Sequence, residues 1–152
     1  MAGPLLPPRY EMVAPLGKGG GGEVWAVRDR ITGRKVALKA LREGADEREV
    51  MALVREAVSL SGVEGLGVPH VLRFGRLPRP ALAAGERESR RSVRPYMVRE
   101  LIEGESLADV LDRGGDPRAH LGAVAQDAEQ LTRLHRALLL HGDLKPANII
   151  VG

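Results

Sequence analysis

The chain contains no cysteine, which excludes disulfide bonds and cysteine-based zinc sites. One Trp, one Phe and two Tyr are its only aromatic residues, so aliphatic side chains must build the core. No apolar run approaches the roughly 18 residues that a membrane span requires, and the proline-rich start does not resemble a signal peptide. The absence of cysteine fits a cytoplasmic protein, which is the location we expect.

The charge balance is nearly even, with 23 basic and 20 acidic residues giving a net charge of +3. Seven arginines fall in residues 73–94, and the stretch 78–95, rich in Pro, Ala, Gly, Ser and Arg, predicts a solvated, flexible insertion. This stretch has no aromatic residue on which bases could stack, so no nucleic-acid partner is expected. At 152 residues the chain is long enough for a domain with its own core.

The first third of the chain predicts a β-meander. Residues 10–27 form an apolar-flanked segment interrupted by glycines, residues 29–33 are typical of a hairpin turn, and Val36–Lys39 predicts the following strand. Apolar residues then recur at helical spacing across residues 46–61. Further strands are predicted at 71–77 and 96–102.

The last third predicts mainly helix. Ser106 is placed to cap a short helix that Gly114 and Gly115 end, and residues 121–138 predict a longer amphipathic helix. A short strand is predicted at 149–151. No internal repeat is visible.

A glycine-rich segment fits the pattern G-x-G-x-x-G-x-V through Gly17, Gly19, Gly22 and Val24. Glycines let backbone N–H groups approach phosphates without steric conflict, although a run of glycines is often only a flexible turn. The glycines lie between two predicted strands, which disfavours a dinucleotide-binding fold. No Gly-Lys-Ser/Thr follows, which excludes a Walker A loop.

Two charged residues become candidates for a phosphate site when they are considered together with this glycine-rich segment. Lys39 ends the strand that follows the glycines, and an adjacent antiparallel strand would bring its ammonium beneath the loop. Glu56 lies on the following helix, where a carboxylate could hold Lys39 toward phosphates. Taken alone, each is more often a solvated surface residue. Glu49 lies on a similar helix face and is the reserve candidate.

The most specific motif is His141-Gly142-Asp143-Leu144-Lys145-Pro146-Ala147-Asn148. An Asp, a Lys two residues later and an Asn three beyond that can serve one phosphoryl-transfer site. The Asp orients a substrate hydroxyl, the Lys neutralises the γ-phosphate, and the Asn amide oxygen binds Mg²⁺.

In order and spacing, these motifs resemble the eukaryotic-like serine/threonine protein kinases of bacterial type. Lys145-Pro146 is similar to the serine/threonine branch, since tyrosine kinases usually carry Ala or Arg at that Lys. The resemblance runs from about residue 10 to residue 152. It implies an α+β kinase fold, with a five-stranded antiparallel small lobe and one packed helix, followed by the first helices and the catalytic loop of the large lobe.

The resemblance also implies site residues and ligands. ATP and Mg²⁺ would be the cofactors, and a protein serine or threonine the acceptor. Asp143, Lys145, Lys39 and Glu56 would be catalytic, and Asn148 would bind the metal. The nucleotide would contact Leu16, Gly17, Gly19, Gly22, Val24, Ala37, Lys39, Glu100 and Ile102.

Three departures from the family pattern qualify this expectation. Gly142 replaces a common Arg, which keeps a small-molecule phosphotransferase as a minor alternative. Arg99 stands where an apolar or hydroxyl side chain usually lies behind the ATP pocket, and Glu56 is its nearest plausible partner. No Asp-Phe-Gly occurs in the chain, which favours a catalytically inactive nucleotide-binding pseudokinase or scaffold as a further alternative.

The expected organisation is a disordered lead at 1–9, a small lobe at 10–102 and a partial large lobe at 103–152. The resemblance implies an incomplete catalytic domain ending after the catalytic loop, which we expect to be inactive in phosphotransfer. The apolar face of the helix at 121–138 would then be covered by the missing lobe or by a partner.

Overall fold

A computed structural model describes residues 4–19, 21–61, 69–78, 94–136 and 150–151. The chain divides into two compact units. The first comprises residues 1–61 and 70–101, and the second comprises residues 62–69 and 102–152.

The first unit is built on a five-stranded antiparallel sheet, which confirms the predicted small-lobe architecture. Its strands are β1 (Tyr10–Gly19), β2 (Gly22–Asp29), β3 (Lys35–Ala40), β4 (Val71–Arg76) and β5 (Pro95–Glu100). Their order in the sheet is β1-β2-β3-β5-β4. The three inner strands, β2, β3 and β5, carry almost all of the buried residues of the sheet, because each has a neighbouring strand on both sides.

The turn between β2 and β3 is fixed by Asp29 and Gly33. The Gly33 N–H donates to the Asp29 carbonyl at 2.7 Å, and the Asp29 carboxylate accepts the Ile31 N–H at 2.9 Å. Gly33 has a φ of +71°, a conformation that costs glycine little. The predicted hairpin turn is therefore confirmed.

One face of the sheet carries an apolar cluster that is mostly aliphatic, as the composition requires. Val27, Leu38 and Val98 are almost fully buried, and Tyr10 and Tyr96 pack edge to face with ring centroids 6.4 Å apart. Leu6 also packs against this cluster.

The lead was expected to be disordered, but its last residues contact the sheet. The Arg9 guanidinium donates to both carboxylate oxygens of Asp29, at 2.9 and 2.6 Å. This pair holds the pKa of the Asp29 carboxyl well below its usual range, with further help from the Ile31 N–H. Residues 1–3 lie outside the described part of the chain.

Helix α1 (Glu47–Ser61) packs on the sheet through a second apolar cluster. Leu53 and Ala57 are buried with Met97 and Leu41. The helix begins at a reciprocal cap, in which Asp46 Oδ1 accepts the Glu49 N–H at 2.9 Å and Glu49 Oε2 accepts the Asp46 N–H at 2.7 Å. The helical spacing predicted from the sequence is confirmed.

The second unit contains β6 (Glu105–Ser106), α2 (Leu107–Asp112), α3 (Leu121–Arg136) and β7 (Ile150–Val151), and β6 pairs antiparallel with β7. Ser106 caps α2 as predicted, since its Oγ accepts the Asp109 N–H at 3.1 Å. Before α3 lies a 3-10 turn at Pro117–His120, which no sequence pattern predicted. Asp116 caps that turn by accepting the Arg118 N–H at 2.9 Å.

Helix α3 exposes part of its apolar side. Leu121 is 62% exposed and Val124 is 40% exposed. Residues 137 and 138, which the sequence assigned to the same helix, lie outside the described residues. Within the described parts of the chain, no helix combines the length and apolarity that a membrane crossing requires.

Candidate functional site

The glycine-rich segment forms the end of the β1–β2 hairpin. Gly17 lies opposite Val24, and Gly19 lies opposite Gly22. A Cβ built on Gly17 or Gly19 would meet no atom within 4 Å, so the backbone there is open to a ligand. Open backbone at alternate glycines is what close approach of a phosphate requires.

Gly22 is required for a different reason. Its φ is +108°, and a Cβ at this position would lie 2.2 Å from the Ala40 carbonyl oxygen. No side chain fits that space, so this glycine sets how closely β2 approaches β3 at the turn end of the β1–β2 hairpin.

Lys39 lies directly beneath this hairpin. It is opposite Val24 on β2 and opposite Met97 on β5. A Cβ built on Gly21 would lie 3.9 Å from Lys39 Nζ. The sheet register therefore brings the ammonium to the glycine backbone, as the strand order predicted.

Glu56 on α1 pairs with Lys39. Glu56 Oε2 lies 2.6 Å from Lys39 Nζ, and the two side chains are 32% and 21% exposed. The helix is held in reach by Leu53 and Ala57, which bury against Met97 beside the pair. The structure thus brings together the glycine backbone, an ammonium and a carboxylate from four separate elements.

Glu49, the reserve candidate, does not reach Lys39. Its carboxylate receives two hydrogen bonds from Arg42, at 3.1 and 2.9 Å, in addition to the capping bond from Asp46. The sequence could not separate the two glutamates by face alone, because they lie seven residues apart and nearly eclipse one another on a helix.

Arg99 also reaches Glu56. Its NH1 lies 3.9 Å from Glu56 Oε1, and its side chain is 29% exposed. The distance is that of an ion pair and not of a hydrogen bond. Glu56 is therefore the partner of both Lys39 and Arg99, as the sequence suggested.

Three of the residues expected to contact the nucleotide differ in exposure. Ala37 is buried and lies opposite Ala26, so two small side chains adjoin on the face that carries Lys39. Val24 is half-buried, whereas Leu16 is 51% exposed.

At the end of β5, the Glu100 N–H donates to the His70 carbonyl at 2.9 Å, and the Glu100 carboxylate accepts the His70 N–H at 3.1 Å. Ile102 belongs to the second unit and is 44% exposed.

One charged group near the glycines was missed in the sequence. Glu23 Oε1 lies 2.9 Å from Lys18 Nζ, and Glu23 Oε2 lies 3.6 Å from Arg94 NH2. The Lys18 hydrogen bond, with help from Arg94, lowers the pKa of the Glu23 carboxyl. The Lys18–Glu23 pair was detectable in principle, since the two residues oppose each other across a short hairpin. The contact between Arg94 and Glu23 was not detectable, because it depends on where β5 pairs in the sheet.

The motif at 141–148, including Asp143, Lys145 and Asn148, lies outside the described residues. Within the described residues, no group of three or more His, Cys, Asp or Glu side chains could hold a metal ion.

Comparison with known proteins decides the family. A model of the protein kinase domain matches residues 10–152. The chain belongs to the protein kinase family. The glycine hairpin, Lys39 and Glu56 therefore stand in a kinase small lobe, and the five-stranded sheet with α1 fits that assignment.

Curated relatives are named serine/threonine protein kinases. The chain is 36% identical over 150 residues to the serine/threonine-protein kinase pkn2 of Myxococcus xanthus. The matched region covers 97% of this chain and 16% of that relative. It is 32% identical over 152 residues to the DNA damage-responsive serine/threonine-protein kinase RqkA of Deinococcus radiodurans, covering 98% of this chain and 21% of that relative.

A third relative is the serine/threonine-protein kinase PknA of Mycobacterium tuberculosis, at 31% identity over 153 residues, covering 98% of this chain and 33% of the relative. The chain thus spans a third or less of the length of these relatives.

Proposed function

We propose that the protein is an ATP-dependent serine/threonine protein kinase, whose small lobe holds the nucleotide phosphates between the glycine hairpin and Lys39. The observation that carries this proposal is the 2.6 Å pair between Lys39 and Glu56 beneath open glycine backbone. An ammonium beside glycines with open space at their Cβ positions supplies a cationic donor and leaves room for a polyphosphate.

Each residue would contribute through positioning and charge. Gly17 and Gly19 leave room for the phosphates, and Gly22 keeps the hairpin close to β3. Lys39 would donate to the α- and β-phosphates while Glu56 holds its ammonium in place. Leu16, Val24 and Ala37 would enclose the adenine, with the backbone of Glu100 and Ile102 along its edge.

The remaining steps are assigned from the motif at 141–148. Asp143 would orient the acceptor hydroxyl and accept its proton as the oxygen attacks the γ-phosphorus, while the bond from that phosphorus to the β,γ-bridging oxygen breaks and ADP leaves. Lys145 would balance charge on the transferring phosphoryl group. Mg²⁺, when bound, neutralises phosphate charge, and the Asn148 amide oxygen would supply one of its ligands. Lys145-Pro146 favours serine or threonine over tyrosine as acceptor.

A nucleotide-binding protein without transfer activity is the second candidate. It is supported by the geometry of the small lobe, because the glycine hairpin and the Lys39–Glu56 pair serve nucleotide binding whether or not transfer follows. A small-molecule phosphotransferase has only Gly142 in its favour. All three candidates share the nucleotide site of the small lobe and differ in the fate of the bound nucleotide.

Nucleotide binding is tested by calorimetric titration of the 152-residue chain with Mg-ADP. Lys39→Met is expected to weaken binding about tenfold or more, since hydrogen bonds to charged groups contribute about 1.5–3 kcal/mol. The matched control is Lys35→Met, an exposed lysine on the same strand, which should bind as the unaltered chain does. Equal affinities for the two variants would contradict the proposed site.

Transfer is tested with labelled ATP and peptides that differ only in carrying Ser, Thr or Tyr, using protein expressed from the complete open reading frame. Labelling of Ser and Thr peptides that is lost in Asp143→Asn supports the kinase. Binding without labelling of any peptide supports the second candidate, and labelling of a small alcohol alone supports the third.

A further inference from the structure

Arg99 and Lys39 project from the same face of the sheet. Arg99 on β5 lies opposite Ala37, and Lys39 on β3 lies opposite Met97. Opposed residues share a face, and so do residues two apart on one strand. Both long cationic side chains therefore extend from neighbouring strands toward α1, whose Leu53 packs on Met97.

The carboxylate of Glu56 lies between these two cations and uses a different oxygen for each. Oε2 is 2.6 Å from Lys39 Nζ, and Oε1 is 3.9 Å from Arg99 NH1. The carboxylate thus links β3 and β5 to α1 at one point. With one negative and two positive charges, the cluster keeps a net positive charge beneath the glycine hairpin.

Because Glu56 is shared between Lys39 and Arg99, its hold on Lys39 is affected. A carboxylate with a single cationic partner can turn both oxygens toward it and hold it strongly. Because Arg99 engages Oε1, Glu56 presents only Oε2 to Lys39. When Lys39 shifts part of its hydrogen bonding to an incoming phosphate, the charge of Glu56 is still balanced by Arg99.

We infer that Arg99 is a positioning residue for the phosphate-binding site, holding Glu56 so that Lys39 remains available to a polyphosphate anion. The inference rests on the proposed function, since it assigns Lys39 to phosphates. It adds a role for a residue that would not itself contact the nucleotide phosphates.

The test compares Mg-ADP with adenosine, which has the same base and sugar and no phosphate. Arg99→Met keeps a long side chain and removes the charge. Its Kd for Mg-ADP should rise about three- to fivefold, the size expected of one partly exposed ion pair. Its Kd for adenosine should not change, and Arg99→Lys should restore most of the Mg-ADP affinity.

The matched control is Arg73→Met, an exposed arginine on β4 of the same sheet, which should leave both affinities unchanged. An unchanged Mg-ADP affinity in Arg99→Met would overturn the inference. So would an equal loss for Mg-ADP and adenosine, because that result indicates a change in the shape of the pocket and not in Lys39.

A second measurement needs no nucleotide and separates this inference from the proposed function. Thermal unfolding of Arg99→Met, Glu56→Gln and the double variant gives a double-mutant cycle. The sum of the two single-variant decreases in Tm should exceed the decrease in the double variant by about 1–3 °C. Additive Tm shifts would show that Arg99 and Glu56 do not interact, and would overturn the inference even if the protein binds Mg-ADP. Non-additive shifts in a protein that does not bind Mg-ADP would contradict only the proposed nucleotide site.

Discussion

Arg42 and Glu49 form a two-bond ion pair outside the proposed phosphate site, with Nε 3.1 Å from Oε1 and NH2 2.9 Å from Oε2. Because Glu49 also accepts the Asp46 N–H, its carboxylate is committed to the start of α1. Glu56, two turns further along the same helix, is left to pair with Lys39. Two glutamates of one helix face thus have separate tasks.

Substitution of the two glutamates should separate these tasks. Glu56→Gln is expected to weaken Mg-ADP binding several-fold, since Lys39 loses the charge that holds it. Glu49→Ala should leave binding unchanged and lower the free energy of unfolding by about 1 kcal/mol, because it removes a helix cap. Calorimetric titration and denaturant unfolding of both variants check this. Loss of binding in Glu49→Ala would show that the site depends on the helix start as well.

Gly22→Ala should be strongly destabilising. The new Cβ would lie 2.2 Å from the Ala40 carbonyl oxygen, in a backbone conformation with φ of +108°. Backbone strain alone costs about 1–3 kcal/mol, and the steric conflict adds to it. Gly19→Ala is the control, since nothing lies within 4 Å of its Cβ, and its unfolding free energy should stay close to that of the unaltered chain. Similar denaturant midpoints for the two variants would contradict the hairpin geometry.

Glu23→Gln should loosen the glycine hairpin. The change removes the carboxylate that Lys18 and Arg94 share, at 2.9 and 3.6 Å. Amide hydrogen exchange around residues 17–24 should accelerate, and the difference should shrink at high salt because exposed ion pairs are screened. Glu11→Gln, at the far end of β1, should leave exchange in the hairpin unaltered. Unchanged exchange in Glu23→Gln would mean that the strand ladder alone holds the hairpin.

The Arg9–Asp29 pair should make stability depend on acid pH. Arg9 holds the pKa of Asp29 well below its usual range, so the stabilisation is present above the unfolded-state pKa and is lost as the pH falls toward the folded-state pKa. At pH 7 the Tm of Asp29→Asn should therefore lie below that of the unaltered chain, and the gap should narrow below pH of about 4. Thermal scans between about pH 2.5 and 7 test this.

The control for this pH series is Asp112→Asn, at the exposed end of α2. Its Tm should follow that of the unaltered chain across the range. A gap for Asp29→Asn that stayed constant down to the lowest pH would show that the pair contributes through shape and not through charge.

The local sequence pattern predicted the secondary structure correctly wherever a turn residue or a cap residue marked the boundary of an element. Asp29 and Gly33 fixed the β2–β3 hairpin, and Ser106 fixed the start of α2. The 3-10 turn at Pro117–His120 was missed because four residues are too few to show a period. The attachment of Arg9 was missed because its partner, Asp29, lies twenty residues away in sequence.

Residue type and spacing were enough to establish the family, since the glycine pattern, Lys39 and the motif at 141–148 can be recognised without coordinates. They also established the strand and helix segments, whose periodicity is local. The tertiary structure was needed to show which glutamate meets Lys39, that Arg99 shares it, and that Glu23 ties the hairpin to Arg94. Those pairings depend on the register between β3 and β5 and on where α1 packs, and long-range pairing leaves no periodic signal in the chain.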